Sequence, residues 1–446
     1  MWASTKSCCV SQENAVAVTA RIHGLKVVVV CLFSLQPDHL YVRAQFLQIV
    51  VELVTALLFA SALLASLFMA WTIGAGSAGS TPFAPAVGAG AISVMRAGFI
   101  VGICIFLGAV LQGANVSEAV GRELIDGVTL STSGAALALV IAASLVTVGI
   151  FTGYPIATAF TVTGAVIGVG LALGGSPAWG KYAEIAVMWT FIPVIGGGLS
   201  YAIARWLLSK RYHETTAITL LGAGIGALLA NIEFAVLGPS DASETIANAV
   251  AESVSGPTVL GAGLTTAVFA LVVGAVVWRE MRADATRAER RFALGMGAIV
   301  AFSAGGSQVG LAVGPLLPLL EDSVPLLAIL LGGGVGLLVG AWTSAPRLIK
   351  AIAQDYASLG PRRALAALIP AFSLAQVAIL FGVPVSFNQI IISGVTGSGA
   401  ASAAGTGISR SKIGYTILAW ALSFILAVAV GFGGYTVAEM LVERYR

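Results

Sequence analysis

Residues 73–82 read IGAGSAGSTP, and they interrupt a long apolar run that begins near residue 46. A second stretch of small residues, AGGSQVG at residues 304–310, lies within the apolar run 292–312. Gly74 and Gly305 are 231 residues apart, so the two stretches occupy equivalent places in the chain. An interrupted helix inside a membrane must find other partners for its freed backbone groups, and a cavity with water and ligand provides them. The two stretches therefore predict a pair of broken helices that face one site.

The overall composition is that of a membrane protein. Of the 446 residues, 58% are hydrophobic and only 10% are charged, whereas a soluble domain carries about 25% charged residues. This excludes a cytosolic enzyme, a nucleic-acid-binding protein and a disordered chain. The apolar runs lie near the ~20-residue length of a membrane-spanning helix. They predict an all-α polytopic protein of the lipid bilayer with about 10–12 transmembrane segments. The runs are 46–73, 97–112, 134–150, 154–174, 182–208, 217–237, 259–278, 292–312, 324–343, 364–381, 384–400 and 412–434.

Basic residues set the orientation of these segments. Arginine and lysine cluster in the connecting stretches 205–214, 279–291 and 344–363, and the second of these holds five arginines. Cytoplasmic loops carry an excess of Lys and Arg, so these stretches are predicted to be cytoplasmic. The acidic connecting stretches between them, and both termini, are then external.

The chain also repeats itself. Gly153 and Pro155 match Gly382 and Pro384 at an offset of 229 residues, and Trp189 matches Trp420 at an offset of 231. The flanking charges give the two matching halves opposite directions. This predicts two inverted-topology repeats with broken or re-entrant helices, which is the architecture of many secondary transporters.

These boundaries divide the chain into four parts. Residues 1–45 are an N-terminal extension that contains no complete spanning segment and is expected to be unstructured. Residues 46–208 form the first transporter repeat, residues 209–291 form linking transmembrane segments with a cytoplasmic basic loop, and residues 292–446 form the second repeat.

The interruptions supply the candidate binding residues. Glycine lets consecutive N–H groups converge, and a following helix N-terminus adds positive potential, so both features favour an anion. Hydroxyl and amide groups suit a tetrahedral oxyanion. The predicted substrate-binding residues are Gly74, Gly76, Ser77, Ser80, Thr81, Thr158, Gly305, Gly306, Ser307, Gln308, Ser386 and Asn388. The other interpretation is that small residues permit close helix crossing and that the Gly–Pro elements are helix kinks. The sequence predicts no catalytic residue, metal site or cofactor.

The same residues resemble the inorganic phosphate transporter (PiT) family, whose members carry two inverted copies of a Gly-Ala-Asn-Asp-Val-Ala-Asn-type signature. Residues 69–75 with 87–92 match the frame of the first copy, and residues 302–305 with 309–315 match the second. A Gly-x-Pro-Val-Ser element of the family resembles residues 382–386. The resemblance covers about 69–434 and implies the inverted-repeat fold and phosphate transport.

This chain departs from the family at the centre of both signatures. The family's Asn-Asp is replaced by Gly76-Ser77 in the first copy and by Ser307-Gln308 in the second. Both aspartates are absent, and in the family these aspartates are associated with cation coupling. Their replacement predicts weak or absent sodium coupling.

The sequence therefore predicts a secondary active transporter of inorganic phosphate in the plasma membrane, with the anion bound near the midplane between two inverted repeats. A permease for sulfate or another oxyanion, and a non-transporting sensor with a transporter fold, remain as alternatives. A membrane-embedded enzyme would need a clustered nucleophile, base or metal ligand, which the apolar runs lack. The coupling cation, a proton or sodium, and the formation of a homodimer stay open.

Overall fold

The structure is a computed structural model that describes residues 15–22, 25–32, 38–209, 213–234, 237–238, 244–253, 257–320, 323–356, 359–401 and 410–444. Almost all of these residues are helical. The helices are α1 Asp38–Gly76, α2 Ala84–Gly88, α3 Val94–Gln112, α4 Ala114–Arg122, α5 Thr132–Thr152, α6 Thr158–Ala172, α7 Trp179–Leu208, α8 Glu214–Ala230, α9 Ile246–Ser253, α10 Thr258–Ala283, α11 Ala285–Val313, α12 Leu317–Leu320, α13 Leu326–Asp355, α14 Pro361–Leu380, α15 Phe387–Ala400 and α16 Arg410–Arg444.

Three short antiparallel strand pairs complete the described structure. They are β1 Ala15–Ile22 with β2 Leu25–Leu32, β3 Ile125–Asp126 with β4 Ser176–Pro177, and β5 Glu233–Phe234 with β6 Glu244–Thr245. The first pair lies inside the predicted extension 1–45, and α1 also begins there, at Asp38. The extension therefore contains regular backbone structure in the part that is described.

Each of the twelve predicted apolar runs overlaps one helix, and the run 217–237 also extends past the end of α8 at Ala230. The twelve helices are α1, α3, α5, α6, α7, α8, α10, α11, α13, α14, α15 and α16. Within the described residues, nine helices are long and apolar enough to cross a membrane, and α6 and α8 are shorter apolar helices. Large apolar side chains cover the outside of the bundle; Val259, Leu264 and Leu271 on α10 are 85%, 68% and 71% exposed. A surface of this kind is stable against lipid rather than water. The predicted all-α polytopic class is confirmed.

Helices of the first half pack on helices of the second half, and the pairing is reciprocal. Helices α1, α3, α6 and α7 occupy the same places in the first half as α11, α13, α15 and α16 occupy in the second. Helix α1 packs on α13 while α11 packs on α3, and α6 packs on α16 while α15 packs on α7. Each half therefore buries its apolar surface mainly against the other half.

Glycines at these crossings show the same exchange at the level of atoms. A Cβ at Gly74 would lie 2.0 Å from the carbonyl oxygen of Leu337, and a Cβ at Gly305 would lie 2.0 Å from that of Ile105. Gly74 with Gly305, and Ile105 with Leu337, are 231 and 232 residues apart. Gly74 lies against Leu337, and their counterparts Gly305 and Ile105 lie against each other in the same way. Reciprocal contacts of this kind are what two halves related by a two-fold axis would make.

The same exchange recurs near the other breaks. A Cβ at Gly168 would lie 2.3 Å from the carbonyl oxygen of Val428, and a Cβ at Gly397 would lie 2.0 Å from that of Gly197. Only glycine fits at such crossings, because a side chain would collide with the partner's backbone.

The first interruption breaks a helix as predicted. Helix α1 ends at Gly76, and residues 77–83 form turns before the short helix α2. The amides of Ser77 and Ala78 both donate to the carbonyl oxygen of Ile73, which closes the helix end.

The predicted break at residues 304–310 is wrong. Helix α11 continues through this stretch to Val313, and the irregular turn comes later, as a 3₁₀ helix at Gly314–Leu316. The glycines here serve close packing, since a Cβ at Gly310 would lie 2.6 Å from the backbone nitrogen of Ser117. The backbone amides of 304–310 are therefore committed to the helix and do not form an anion-binding nest.

We predict that Gly305→Ala strongly destabilises the bundle. The added methyl group would collide with the Ile105 carbonyl, and overpacking of this kind costs about 1–3 kcal/mol. Gly295→Ala on the same helix is the matched control, because a Cβ there meets nothing within 4 Å. The measurement is the midpoint of thermal unfolding of both purified variants in one detergent. Equal midpoints for the two variants would contradict the close crossing.

Candidate functional site

Two extended segments cross the middle of the bundle. Helix α5 ends at Thr152, Gly153 follows with φ of 76°, and α6 begins at Thr158. In the second half, α14 ends at Leu380, Gly382 has φ of 59°, and α15 begins at Phe387. Each Gly–x–Pro element is thus a real break rather than a kink. Glycine is needed there because L side chains rarely adopt positive φ.

Side chains donate hydrogen bonds to two carbonyl groups in each segment. The indole nitrogen of Trp420 donates to the carbonyl oxygen of Pro155 at 2.9 Å, and that of Trp189 donates to Pro384 at 2.9 Å. Trp189 and Trp420 are the repeat pair identified in the sequence, and so are the two prolines. Each half therefore supplies the tryptophan that completes the break of the other half.

Two amide side chains satisfy the next carbonyls along the segments. Asn388 Nδ2 donates to the carbonyl oxygen of Ile156 at 2.5 Å and to that of Gly76 at 3.0 Å. Gln308 Nε2 donates to the carbonyl oxygen of Val385 at 2.5 Å. These bonds fix both amide side chains beside the two breaks and join α1, α6, α11 and α15 at one place.

The predicted residues Ser77, Thr158 and Gln308 meet at this place. Ser77 Oγ donates to Gln308 Oε1 at 3.1 Å, and Thr158 Oγ1 donates to the same oxygen at 2.7 Å. Thr158 Oγ1 also lies 3.4 Å from Ser77 Oγ. Ser77 and Gln308 are repeat counterparts, 231 residues apart, so their contact lies where the two halves meet. All three side chains are fully buried.

Several buried polar atoms around this cluster lack a partner among the described residues. They are Ser307 Oγ, Ser386 Oγ, Asn388 Oδ1 and Gln389 Oε1. A buried polar group without a hydrogen bond costs about 1–3 kcal/mol, so such groups mark a place for a polar ligand or water. Gln389 was not among the predicted binding residues, although it lies at the end of the same Gly–x–Pro element.

The predicted hydroxyls of Ser80 and Thr81 have a local role in the structure. Both donate to the carbonyl oxygen of Ser77, at 3.4 Å and 3.0 Å, and so close the turn after α1. Gly76 lies at the end of α1, and its carbonyl accepts from Asn388. Gly306 packs against the side chain of Gln112. Gly74 and Gly305 lie at the helix crossings described above.

Two helix N-termini border the cluster, at Thr158 for α6 and at Phe387 for α15. Neither Ala157 nor Ser386, the residues that precede them, makes a side-chain capping bond. The first N–H groups of a helix have no partner within the helix and carry partial positive charge. The polar side chains that meet here are all neutral, so the fixed partial charges at the site come from helix ends: positive at the starts of α6 and α15, and negative at the end of α1, at Gly76.

Aromatic packing holds Trp189 in position. The rings of Trp189 and Phe160 are stacked with centroids 3.7 Å apart, and Phe424 packs edge-on against Trp189 at 5.6 Å. The sequence identified the tryptophans as repeat counterparts but assigned them no function. Their symmetric placement was the signal that could have identified them as partners of the breaks.

Comparison with known proteins decides the family. The sequence profile of the phosphate transporter family matches residues 73–431. The chain belongs to this family. The match covers both breaks, both tryptophans and the whole polar cluster.

Individual relatives agree with this assignment. A Pyrococcus furiosus protein whose name proposes a phosphate permease is 25% identical over 387 residues, covering 81% of this chain and 91% of that protein. The chloroplastic inorganic phosphate transporter 2-1 of Arabidopsis thaliana is 24% identical, covering 78% of this chain and 66% of its own length. A solved structure titled "The sodium-dependent phosphate transporter" matches with a TM-score of 0.73 at 23% identity, covering 86% of this chain and 99% of that one. This last likeness shows the shared fold.

We predict that Trp189→Phe and Trp420→Phe lower stability by similar amounts. Each change keeps an aromatic ring but leaves the carbonyl of Pro384 or Pro155 unpaired in an apolar interior, at a cost of about 1–3 kcal/mol. Trp179→Phe is the control, because Trp179 is 75% exposed. Thermal unfolding in detergent measures all three variants. A loss in Trp179→Phe as large as in the other two would contradict the role of the buried indoles.

Proposed function

We propose that the protein is a secondary active transporter of inorganic phosphate across the plasma membrane, with two inverted repeats and the anion bound between them. The binding residues are Ser77, Thr158, Gln308, Ser307, Ser386 and Asn388, with Gln389 added. Membership of the phosphate transporter family supports the substrate. The observation that carries the site is the group of buried, unpartnered polar atoms beside two uncapped helix N-termini.

The chemistry of the cluster suits an oxyanion. The hydroxyls of Ser307 and Ser386 can donate to anion oxygens, and the free N–H groups at the starts of α6 and α15 can do the same. Ser77 and Thr158 now donate to Gln308. A bound anion would accept these two hydrogen bonds in place of the amide oxygen, so binding exchanges contacts within the protein for contacts with substrate.

The unpartnered acceptors favour phosphate over sulfate. Asn388 Oδ1 and Gln389 Oε1 are buried acceptors. Phosphate at neutral pH carries at least one O–H group that can donate to such an oxygen, whereas sulfate carries none. A site built to hydrogen-bond a hydroxyl rejects the analogue that lacks it, because its own polar groups are then left unpaired. A sulfate permease and a non-transporting sensor therefore remain the second and third candidates.

We predict that Gln308→Leu and Ser77→Leu abolish phosphate uptake. The apolar side chains remove the central hydrogen-bonding groups and fill the space between the halves. Ser61→Leu is the control, since Ser61 lies on α1 but is exposed on the outside of the bundle. The measurement is the initial uptake of radiolabelled phosphate and sulfate into liposomes containing the purified, folded protein. Wild-type-like uptake in both site variants would contradict the site, and no uptake of either anion by the wild type would favour a sensor.

We predict that replacing sodium with potassium or choline changes the uptake rate little. A cation buried at the midplane needs oxygen ligands and a compensating negative charge. The two signature positions supply only the neutral side chains of Ser77 and Gln308. The test compares initial rates at fixed pH and osmolarity. A steep, saturating dependence on sodium would contradict the prediction and would indicate that backbone carbonyls at the breaks, together with the anion, bind the cation.

A further inference from the structure

A second group of ionisable side chains lies far from the central cluster, at the basic end of the bundle. Arg362 at the start of α14 forms an ion pair with Glu214 at the start of α8. Its Nε atom also lies 2.7 Å from Glu289 Oε1, near the start of α11. One guanidinium therefore holds two carboxylates that come from different helices. We call these three residues the Glu–Arg–Glu cluster.

Burial is unequal within the cluster. The side chain of Glu289 is only 8% exposed, whereas those of Glu214 and Arg362 are 32% and 35% exposed. A cluster of buried apolar side chains on the same helices and on α10, including Ile218, Met281 and Ala366, lies at this end of the bundle. Two carboxylates with one guanidinium give a net charge of −1, and a carboxylate in an apolar surrounding is costly to keep ionised. One added proton makes the cluster neutral.

Glu289 precedes the apolar part of α11. The apolar run of this helix begins at Phe292, and the preceding turns carry Arg287, Arg290 and Arg291. With 29 residues and a rise of about 1.5 Å per residue, the helix is longer than the ~30 Å hydrocarbon core. The three residues of the cluster lie in the basic stretches 205–214, 279–291 and 344–363, which are predicted to be cytoplasmic. Protons from the cytoplasm can therefore reach the cluster.

The electrostatics of the two carboxyl groups are complementary. Burial, followed by the hydrogen bond with Glu214, raises the pKa of Glu289 to about 7. The hydrogen bond from Glu289, ahead of the contacts with Arg362, lowers the pKa of Glu214. A protonated Glu289 can donate to an ionised Glu214 while Arg362 keeps its ion pair with Glu214. Two carboxyl groups that share one proton in this way titrate as a pair.

Other charged groups at this end lie on or beside the same helices and on α10, and among them Arg287 lies 3.6 Å from Asp284, which precedes α11. His213 precedes Glu214 on α8, Arg290 and Arg291 follow Glu289 on α11, and Arg363 follows Arg362 on α14. Arg291 is paired with Glu280 of α10 at 2.5 Å. The positive charges of these arginines act against protonation of Glu289, so the burial of Glu289 and its neighbouring carboxylate must outweigh them.

We propose that the Glu–Arg–Glu cluster is a proton-binding site, that the bound proton lies on Glu289, and that its occupancy changes the rate of transport. The link is mechanical. Helix α14 leads directly into the break at Gly382, and α11 carries Gln308. Protonation of Glu289 weakens its ion pair with Arg362, and so changes the contacts that connect α11 and α14 with α8. The proton site is independent of the proposed function, and only its effect on transport rests on that function.

The proton site is tested without any transport assay. The purified protein in lipid nanodiscs is titrated while the infrared C=O stretch of protonated carboxyl groups is recorded. We expect a band that titrates near pH 7 in the wild type and in the Glu280→Gln control, and that is absent in Glu289→Gln. Glu214→Gln should move the midpoint to lower pH, because it removes the neighbouring negative charge. Glu289→Asp, which keeps a carboxyl group, should retain a band at a shifted midpoint even where the glutamine variant folds poorly.

A band that persists unchanged in Glu289→Gln, or no carboxyl band titrating near neutral pH, would overturn the site. The link to transport is tested by the ratio of phosphate uptake by Glu289→Gln to uptake by the wild type as the pH is varied. Both proteins see the same phosphate, so the ratio cancels the titration of the substrate. We expect a ratio near one at acid pH that departs from one at alkaline pH. A constant ratio would overturn the link, whereas a wild type without uptake would contradict only the proposed function.

Discussion

Backbone carbonyls in the middle of an apolar bundle need hydrogen-bond donors, and this requirement governs the structure. Water is absent from the hydrocarbon region, so an extended segment there survives only where other groups of the protein replace it. Four carbonyls of the two breaks receive donors from Trp189, Gln308, Asn388 and Trp420. The breaks create the polar centre of the molecule. The hydrogen bonds from these four side chains offset the cost of burying the unpaired carbonyl groups.

The donors make the two halves depend on each other. Three of the four hydrogen bonds join the two halves. Trp420 and Asn388 of the second half donate to carbonyls of the first half, and Trp189 of the first half donates to a carbonyl of the second. Either half alone would leave carbonyls unpaired and would also expose the glycine-lined faces at Gly74 and Gly305. The bundle and its polar centre therefore form together, which explains why the closest helix crossings and the polar cluster both lie between the halves.

Much of this was predictable from the sequence, but one break was misplaced. Apolar runs and the recurring Gly, Pro and Trp positions identified the helices and the pairing of their counterparts. The predicted break at residues 304–310 is wrong because glycine has two uses that look alike in sequence. It can end a helix, or it can let another helix approach closely. Glycine weakens a helix by only about 1 kcal/mol, which packing overrides. Proline removes a backbone donor, and the α11 helix does become irregular at Pro315.

The candidate site shows the same division. The contact of Ser77 with Gln308 agrees with their pairing in the sequence as counterparts in the two predicted repeats. The bonds of Trp189 and Trp420 did not follow, because sequence spacing does not give the direction in which an indole nitrogen points. The hydroxyl chemistry of Ser80 and Thr81 predicts that they bind an oxyanion, but in the structure both hydroxyls donate to the carbonyl oxygen of Ser77.

The loss of two carboxylates from the centre is compatible with anion binding. Each helix N-terminus acts as roughly half a positive charge, so the starts of α6 and α15 favour an anion, although the end of α1 at Gly76 carries an opposing partial charge. Carboxylates at positions 77 and 308 would add negative charge beside the anion, and cations would then be needed to keep all of these charges together in a medium of low dielectric constant. Neutral Ser77 and Gln308 remove that need. For the transport function proposed above, the substitutions that distinguish this chain from the signature would thus change which ions must enter with the substrate more than they would change whether an oxyanion can be held.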